Sequence, residues 1–278
     1  MLVTRILTAA ILIPLVLAAL FLLAPVGWGA VSLVVMGIAA SEWAKLAGYA
    51  RSAHALFVAA TLAIGIGVLV VLATGDASRW TDVVLAACGA ATVFWVIVAP
   101  PWLAFRWKPA SGVPLAVVGW IALTGAWVAL VALQARSPWL VLAAMAIVWI
   151  ADTAAYFAGR AFGRHKLAPQ VSPGKTWEGV YGALAAVATY ALALTPLSDA
   201  AGRSGALTPL AVGIWVACAL ALTALSIEGD LFESLLKRNA NVKDSGRVLP
   251  GHGGVLDRID ALLAAMPAAA LLAHACLR

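Results

Sequence analysis

A helix needs about 20 predominantly apolar residues to cross about 30 Å of hydrocarbon. Nine runs near that length follow one another in this chain: 6–24, 28–47, 54–73, 82–99, 113–133, 139–158, 178–196, 207–227 and 255–276. No water-soluble fold has room for them. Hydrophobic residues make up 64% of the chain and charged ones only 11%, where a soluble domain carries about 45–50% and about 25%. The bilayer is therefore the solvent for most of this polypeptide, and the predicted fold is all-α, a polytopic helical bundle of about nine transmembrane helices. We read residues 1–278 as a single integral-membrane domain, with N-terminal helices in 1–135 and a polar-rich half in 136–278. The first run is long for a secretory signal, and no clear small-x-small cleavage site precedes the next, so it reads as an uncleaved anchor. Pro25 and Gly27 make the only break between the first two runs.

The formal net charge is +6. In a soluble protein this would raise nucleic acid as a partner. In a membrane protein basic residues collect in cytoplasmic loops and set orientation. With the amino terminus inside, fourteen of the 18 Lys and Arg fall in inside segments, and only Arg79, Arg136, Arg203 and Arg278 fall outside. An error of one span would scatter them, so the expected topology has the amino terminus inside and the carboxyl terminus outside. Cys88, Cys218 and Cys276 all lie in apolar stretches without metal-type spacing and read as small apolar residues.

Chemistry concentrates in two inside segments. The first, Asp152 to Glu178, contains D-T-A-A-Y-F-A-G-R-A-F-G-R-H-K-L and S-P-G-K-T-W-E-G. The second, Glu228 to Asp260, contains E-G-D-L-F-E-S-L-L-K-R and K-D-S-G-R-V-L-P-G-H-G-G-V-L-D-R-I-D. Of only 12 acidic residues, eight lie here: Asp152, Glu178, Glu228, Asp230, Glu233, Asp244, Asp257 and Asp260. Carboxylates at membrane depth are costly unless paired, solvated or metal-bound. Asp257 and Asp260, three apart at the start of the ninth span, share a helix face. Asp230 ends the eighth span and Asp152 lies within the sixth. Oxygens converging at one depth suit Mg²⁺, which keeps waters and phosphates among its ligands. The competing reading is that these acids neutralise Arg258, Arg160 or Lys237.

Lys175 in S-P-G-K-T, and Lys237, Arg238, Lys243, Arg247 and Arg258, alternate with glycine and serine. Charge with close backbone approach is what phosphate binding requires. The inside-positive bias accounts for an excess of cations but not for the interleaved acids and glycines. Gly174-Lys175-Thr176 does not complete a P-loop, because the earlier glycine of that pattern would fall at Pro169, and no strand is expected before it. His252, between glycines, has three open roles: phosphate contact, acid–base group, or cap of the ninth helix.

The run from Ser234 to Asp260 resembles the diagnostic motif of the phosphatidate cytidylyltransferases, or CDP-diacylglycerol synthases: S-x-apolar-K-R, four residues, K-D-x-small, then H-G-G-apolar-x-D-R-apolar-D. D-T-A-A-Y-F-A-G-R and S-P-G-K-T-W-E-G look like the same family, although members often carry a second lysine where this chain has Gly174. The resemblance implies an Mg²⁺-requiring reaction of CTP with phosphatidate that gives CDP-diacylglycerol and pyrophosphate. It also implies a homodimer in a bacterial inner membrane, with the catalytic machinery in the carboxyl-terminal half.

Carried over, it points to Asp230, Asp257 and Asp260 at the metal, with Lys237, Lys243 and Asp244 completing the catalytic set. Lys175, Arg238 and Arg258 are expected on substrate phosphates; His252 and Asp152 are further substrate-site candidates, and Asp152 and Asp244 are further candidates at the metal. Ser172, Thr176, Glu178 and Ser234 complete the expected substrate contacts. Two rivals are a related CTP-dependent enzyme (a lipid kinase, or a cytidylyltransferase for another lipid) and a transporter for an anionic solute.

Overall fold

The computed structural model describes residues 2–109, 112–200, 208–251 and 253–276. Among the described residues the chain forms nine helices: α1 (Leu2–Leu22), α2 (Pro25–Leu46), α3 (Arg51–Ala73), α4 (Ala77–Phe105), α5 (Val113–Arg136), α6 (Pro138–Phe162), α7 (Trp177–Ala200), α8 (Pro209–Asn239) and α9 (Leu256–Cys276). From α2 onward all eight are long and apolar enough to cross a membrane, and α1 contributes the shorter apolar stretch Ala10–Leu22. The nine expected runs thus become nine helices. The break between the first two falls at Ala24, whose backbone is extended, with Pro25 opening α2. Proline fits there because its missing N–H needs no partner in a first turn.

Two helices outrun their apolar runs. α8 was expected to end at 227 and continues to Asn239. Beyond Glu228 its sequence turns amphipathic: Phe232, Leu235 and Leu236 are buried, while Asp230, Ser234 and Lys237 face a cavity. One apolar face packed on protein sustains a helix that hydrocarbon would not. α4 extends to Phe105 through a π turn at Phe94–Val98. Pro100 and Pro101 follow at once; they offer no N–H to the carbonyls four residues back, and the widened turn absorbs that loss.

The turn directs Phe94 and Trp95 at Phe232 of α8. With Trp102 they surround it edge-on, at centroid distances of 5.5, 5.4 and 5.5 Å, while Trp43 of α2 stacks at 6.5 Å. Four rings around one phenylalanine fix the rotation of α8, and with it the direction of its polar face.

α5 and α9 form the centre of the bundle. α9 packs on α4, α5 and α8, and its Ala-rich sequence allows close approach. Between helices, Trp127 Nε1 donates to Gly29 O (3.2 Å) and Ser32 Oγ (3.0 Å). Gln134 Nε2 donates to Leu20 O (3.2 Å) and Leu23 O (2.9 Å), carbonyls left without helical partners where α1 ends.

Between α6 and α7, β1 (Lys166–Ala168) and β2 (Ser172–Thr176) pair antiparallel, Lys166 with Thr176 and Ala168 with Ser172. This corrects the expectation that no strand accompanies Gly174-Lys175-Thr176. The short hairpin is held by Trp177 N donating to His165 O (2.9 Å) and ends directly in α7.

The described connections at 47–50, 106–109, 163–176, 240–251 and 253–255 gather at one end of the bundle. Tyr49 OH donates to Gly112 O (2.7 Å), Arg238 Nε to Val171 O (3.2 Å), and Thr8 Oγ1 of α1 to Pro250 O (3.3 Å). This is the alternation that successive antiparallel helices give.

Candidate active site

At that end a cavity of about 320 Å³ opens between the last turns of α8, the segment after it and the first turns of α9. Its lining is Asp230, Ser234, Lys237, Arg238, Lys243, Asp244, Asp257, Arg258 and Asp260. All nine were singled out from sequence. They converge because Asp230, Ser234, Lys237 and Arg238 recur at helical spacing on one face of α8. Asp257, Arg258 and Asp260 occupy the facing first turn of α9.

The two helices touch backbone to backbone here. A Cβ on Gly229 would lie 2.5 Å from Asp260 O, 3.0 Å from Ala264 Cβ and 3.2 Å from Ala261 Cα. Only glycine permits that approach, and the residue after it is Asp230. Asp230 and Asp260 are consequently brought to the same wall of the cavity. Asp230 accepts from Ser234 Oγ at 3.3 Å.

The hairpin contributes the next charge. Lys175 Nζ lies 2.8 Å from Asp230 Oδ2 and donates to Ile227 O at 3.2 Å. Asp152, from the middle of α6, feels both Asp230 and Lys175. The two sequence segments are thus one constellation.

A second cluster lies beside the first. Lys237 Nζ bridges Glu233 of its own helix and Asp257 Oδ1, the latter at 2.7 Å. Asp257 Oδ2 accepts from Ser245 N (3.0 Å) and Gly254 N (2.9 Å). Both oxygens of Asp257 are thus engaged by protein donors, which makes it the clasp that closes the 244–256 segment onto α8. Asp257 was expected to act with Asp230 and Asp260 on a metal. All three line the cavity; Asp230 has two protein partners, Ser234 and Lys175, and Asp260 accepts from Ala261 N (2.8 Å).

Thr176, Glu178 and Ser172, expected at the substrate, are not part of that cavity's lining. Thr176 is buried, and its Oγ1 accepts from Gly179 N (3.2 Å), capping α7. Glu178 pairs with His165 Nδ1 (2.7 Å) and accepts from His165 N, tying the hairpin to α7. Ser172 is in β2 opposite Ala168, outside the cavity lining. Thr176 and Glu178 thus serve the turn that carries Lys175. His252 lies outside the described residues.

Two acids beside the cavity were not singled out as site residues. Glu233 lies behind Lys237 and is buried. Glu42, from α2, is 1% exposed; its Oε2 accepts from Leu256 N (2.7 Å) and Ser245 Oγ (3.2 Å). A lone acid within an otherwise apolar run was the available signal for Glu42.

Among the described residues no three carboxylate, imidazole or thiolate groups form a ready metal cage. Mg²⁺ does not ask for one: it takes one or two carboxylates and completes its shell with water and phosphate. Asp230 and Asp260 offer that hard-oxygen pair with cations alongside, so the donor set fits Mg²⁺ brought in with a polyphosphate.

Residues 3–276 match the cytidylyltransferase family. A phosphatidate cytidylyltransferase of Pseudomonas aeruginosa is 39% identical over 98% of this chain and 97% of its own length. One from Brucella melitensis is 38% identical over 81% of this chain and 76% of its own. One from Haemophilus influenzae is 47% identical over 46% of this chain and 43% of its own.

Proposed function

The chain belongs to the cytidylyltransferase family, and on that footing we propose that it is a membrane-embedded enzyme that converts CTP and phosphatidate into CDP-diacylglycerol and pyrophosphate. The observation that carries this reading is the convergence of Asp230, Asp260, Lys175, Lys237, Lys243 and Arg258 at one end of a membrane bundle. That is the depth at which a lipid phosphate stands.

A phosphatidate phosphate oxygen attacks the α-phosphorus of CTP. A new P–O bond forms, the bond from the α-phosphorus to the bridging oxygen breaks, and pyrophosphate leaves with the electron pair. Such transfers ask for positioning and charge neutralisation more than covalent catalysis. Mg²⁺, were it held by Asp230 and Asp260, would supply Lewis-acid neutralisation of the charge that develops on the leaving group. Lys237 has three N–H donors; Glu233 and Asp257 take two and leave one for a phosphate oxygen. Lys175 is held by Asp230 at the hairpin edge, so a phosphate entering there meets a cation already in place. Lys243, Arg238 and Arg258 close the remaining sides of the cavity.

The site faces the cytoplasm of a bacterial inner membrane, as the distribution of Lys and Arg supports, and the enzyme acts as a homodimer. Cysteine labelling at position 243 from either side of a sealed vesicle checks the first statement, and intermolecular cross-linking the second.

Separate reactions with α- and γ-labelled CTP, phosphatidate and Mg²⁺ test the function. The α label is expected in the lipid and the γ label in pyrophosphate. A γ label in the lipid would mean a lipid kinase, and counterflow without CTP consumption a transporter.

A further inference from the structure

Glu42 is the most buried carboxylate beside the cavity, and it comes from α2, some 200 residues earlier in the chain than its partners. Burying a charged group is costly, and its Oε1 has no hydrogen-bond partner among the described residues. What the carboxylate holds is specific. Its Oε2 accepts from Leu256 N, an orphan donor in the first turn of α9, and from Ser245 Oγ. The backbone N–H of that same Ser245 donates to Asp257, which holds Lys237. Room for the carboxylate is made by two glycines. A Cβ on Gly246 would collide with Glu42 itself, and one on Gly254 would lie 2.6 Å from Glu42 Oε2 and 2.7 Å from Gly246 N.

We infer that Glu42 is a positioning residue of the cavity: it pins the segment after α8 and the start of α9 so that Asp257 stays on Lys237 and both keep their place at the cavity wall. It touches no substrate and acts through Ser245 and Leu256. The inference rests on reading the cavity as the CTP site. It also draws the amino-terminal helices into the machinery, which no longer belongs to residues 136–278 alone.

The test uses the full chain in detergent or nanodiscs. Two charge-assisted hydrogen bonds are lost in Glu42→Ala, so kcat/KM for CTP should fall roughly 30-fold or more. Glu42→Gln keeps an acceptor oxygen for both donors and should stay within about threefold of the parent. Amide exchange supplies a readout independent of turnover: peptides covering 244–257 should exchange faster in Glu42→Ala and unchanged in Glu42→Gln.

Gly246→Ala alone should impair turnover. In Glu42→Ala/Gly246→Ala the added methyl has room, so the double variant should be no worse than Glu42→Ala. If Glu42→Ala fails to fold, Glu42→Gln and Gly246→Ala decide the matter. Parent-like kcat/KM and exchange in Glu42→Ala would overturn the inference, as would equal damage by Gln and Ala, or additive losses in the double variant. A parent enzyme that does not consume CTP would instead overturn the reading of the cavity.

Discussion

Gly229→Ala is the smallest change that should disable the site without touching a charged group. The new methyl would lie 2.5 Å from Asp260 O and 3.0 Å from Ala264 Cβ, where carbon contacts settle at about 3.5–4.0 Å. Its neighbours are backbone and an alanine, with no flexible side chain to swing aside. The helices must therefore part by about 1 Å at the level of Asp230 and Asp260. A misplacement of that size costs about a hundredfold in rate, which corresponds to about 2.7 kcal/mol of transition-state stabilisation. Stability should suffer less: overpacking costs about 1–3 kcal/mol, and replacing a helical glycine by alanine returns about 0.5–1 kcal/mol. Gly213→Ala on the same helix is the control, because a Cβ there meets nothing within 4 Å. Both variants would be purified and assayed for kcat with CTP and for thermal unfolding. The expected result is a folded, near-inactive Gly229→Ala beside a fully active Gly213→Ala. A folded Gly229→Ala with kcat within twofold of the parent would refute the argument that helix contact sets the carboxylate pair.

Asp257→Asn keeps acceptors for Ser245 N and Gly254 N but loses the ion pair with Lys237; turnover should be abolished while the protein still inserts, with a stability loss of about 1–3 kcal/mol in thermal unfolding. Near-normal activity in the purified variant would remove Asp257 from the account. Lys175→Ala removes the cation on Asp230 and should raise KM for CTP by about 10–100-fold, as loss of a charge-assisted bond implies, read from initial rates. Phe232→Ala empties the space among Trp43, Phe94, Trp95 and Trp102 and should destabilise the protein by about 3–5 kcal/mol, visible as a lowered Tm.

The nine helices were legible because each crossing must satisfy its backbone internally and show lipid a run of apolar side chains. Where a helix leaves the hydrocarbon, hydropathy no longer marks its end. α8 runs on past Glu228 because Phe232, Leu235 and Leu236 find protein partners, and α4 runs on to Phe105 through a π turn set by two prolines. The hairpin was illegible for another reason: three residues facing five, with Pro173 and Gly174 inside, carry no strand period.

The cavity residues were legible because carboxylates are scarce in this chain and two spans end in them. What each oxygen bonds was not. The double acceptance by Asp257 depends on how 244–256 folds back. Thr176 and Glu178 stand beside Lys175 in sequence, yet they serve the cap of α7 and the hairpin tie to His165. Glu42 lies outside the motif-bearing half, and only the fold brings it to Ser245 and Leu256.

Binding of Mn²⁺ in place of Mg²⁺, followed by electron paramagnetic resonance with CTP present, tests the central claim most directly. The parent protein should hold Mn²⁺ with phosphorus couplings from the bound triphosphate. Asp230→Asn and Asp260→Asn should each lose that signal, and Asp257→Asn should keep a weakened one. Parent-like Mn²⁺–CTP binding in both Asp230→Asn and Asp260→Asn would contradict the account.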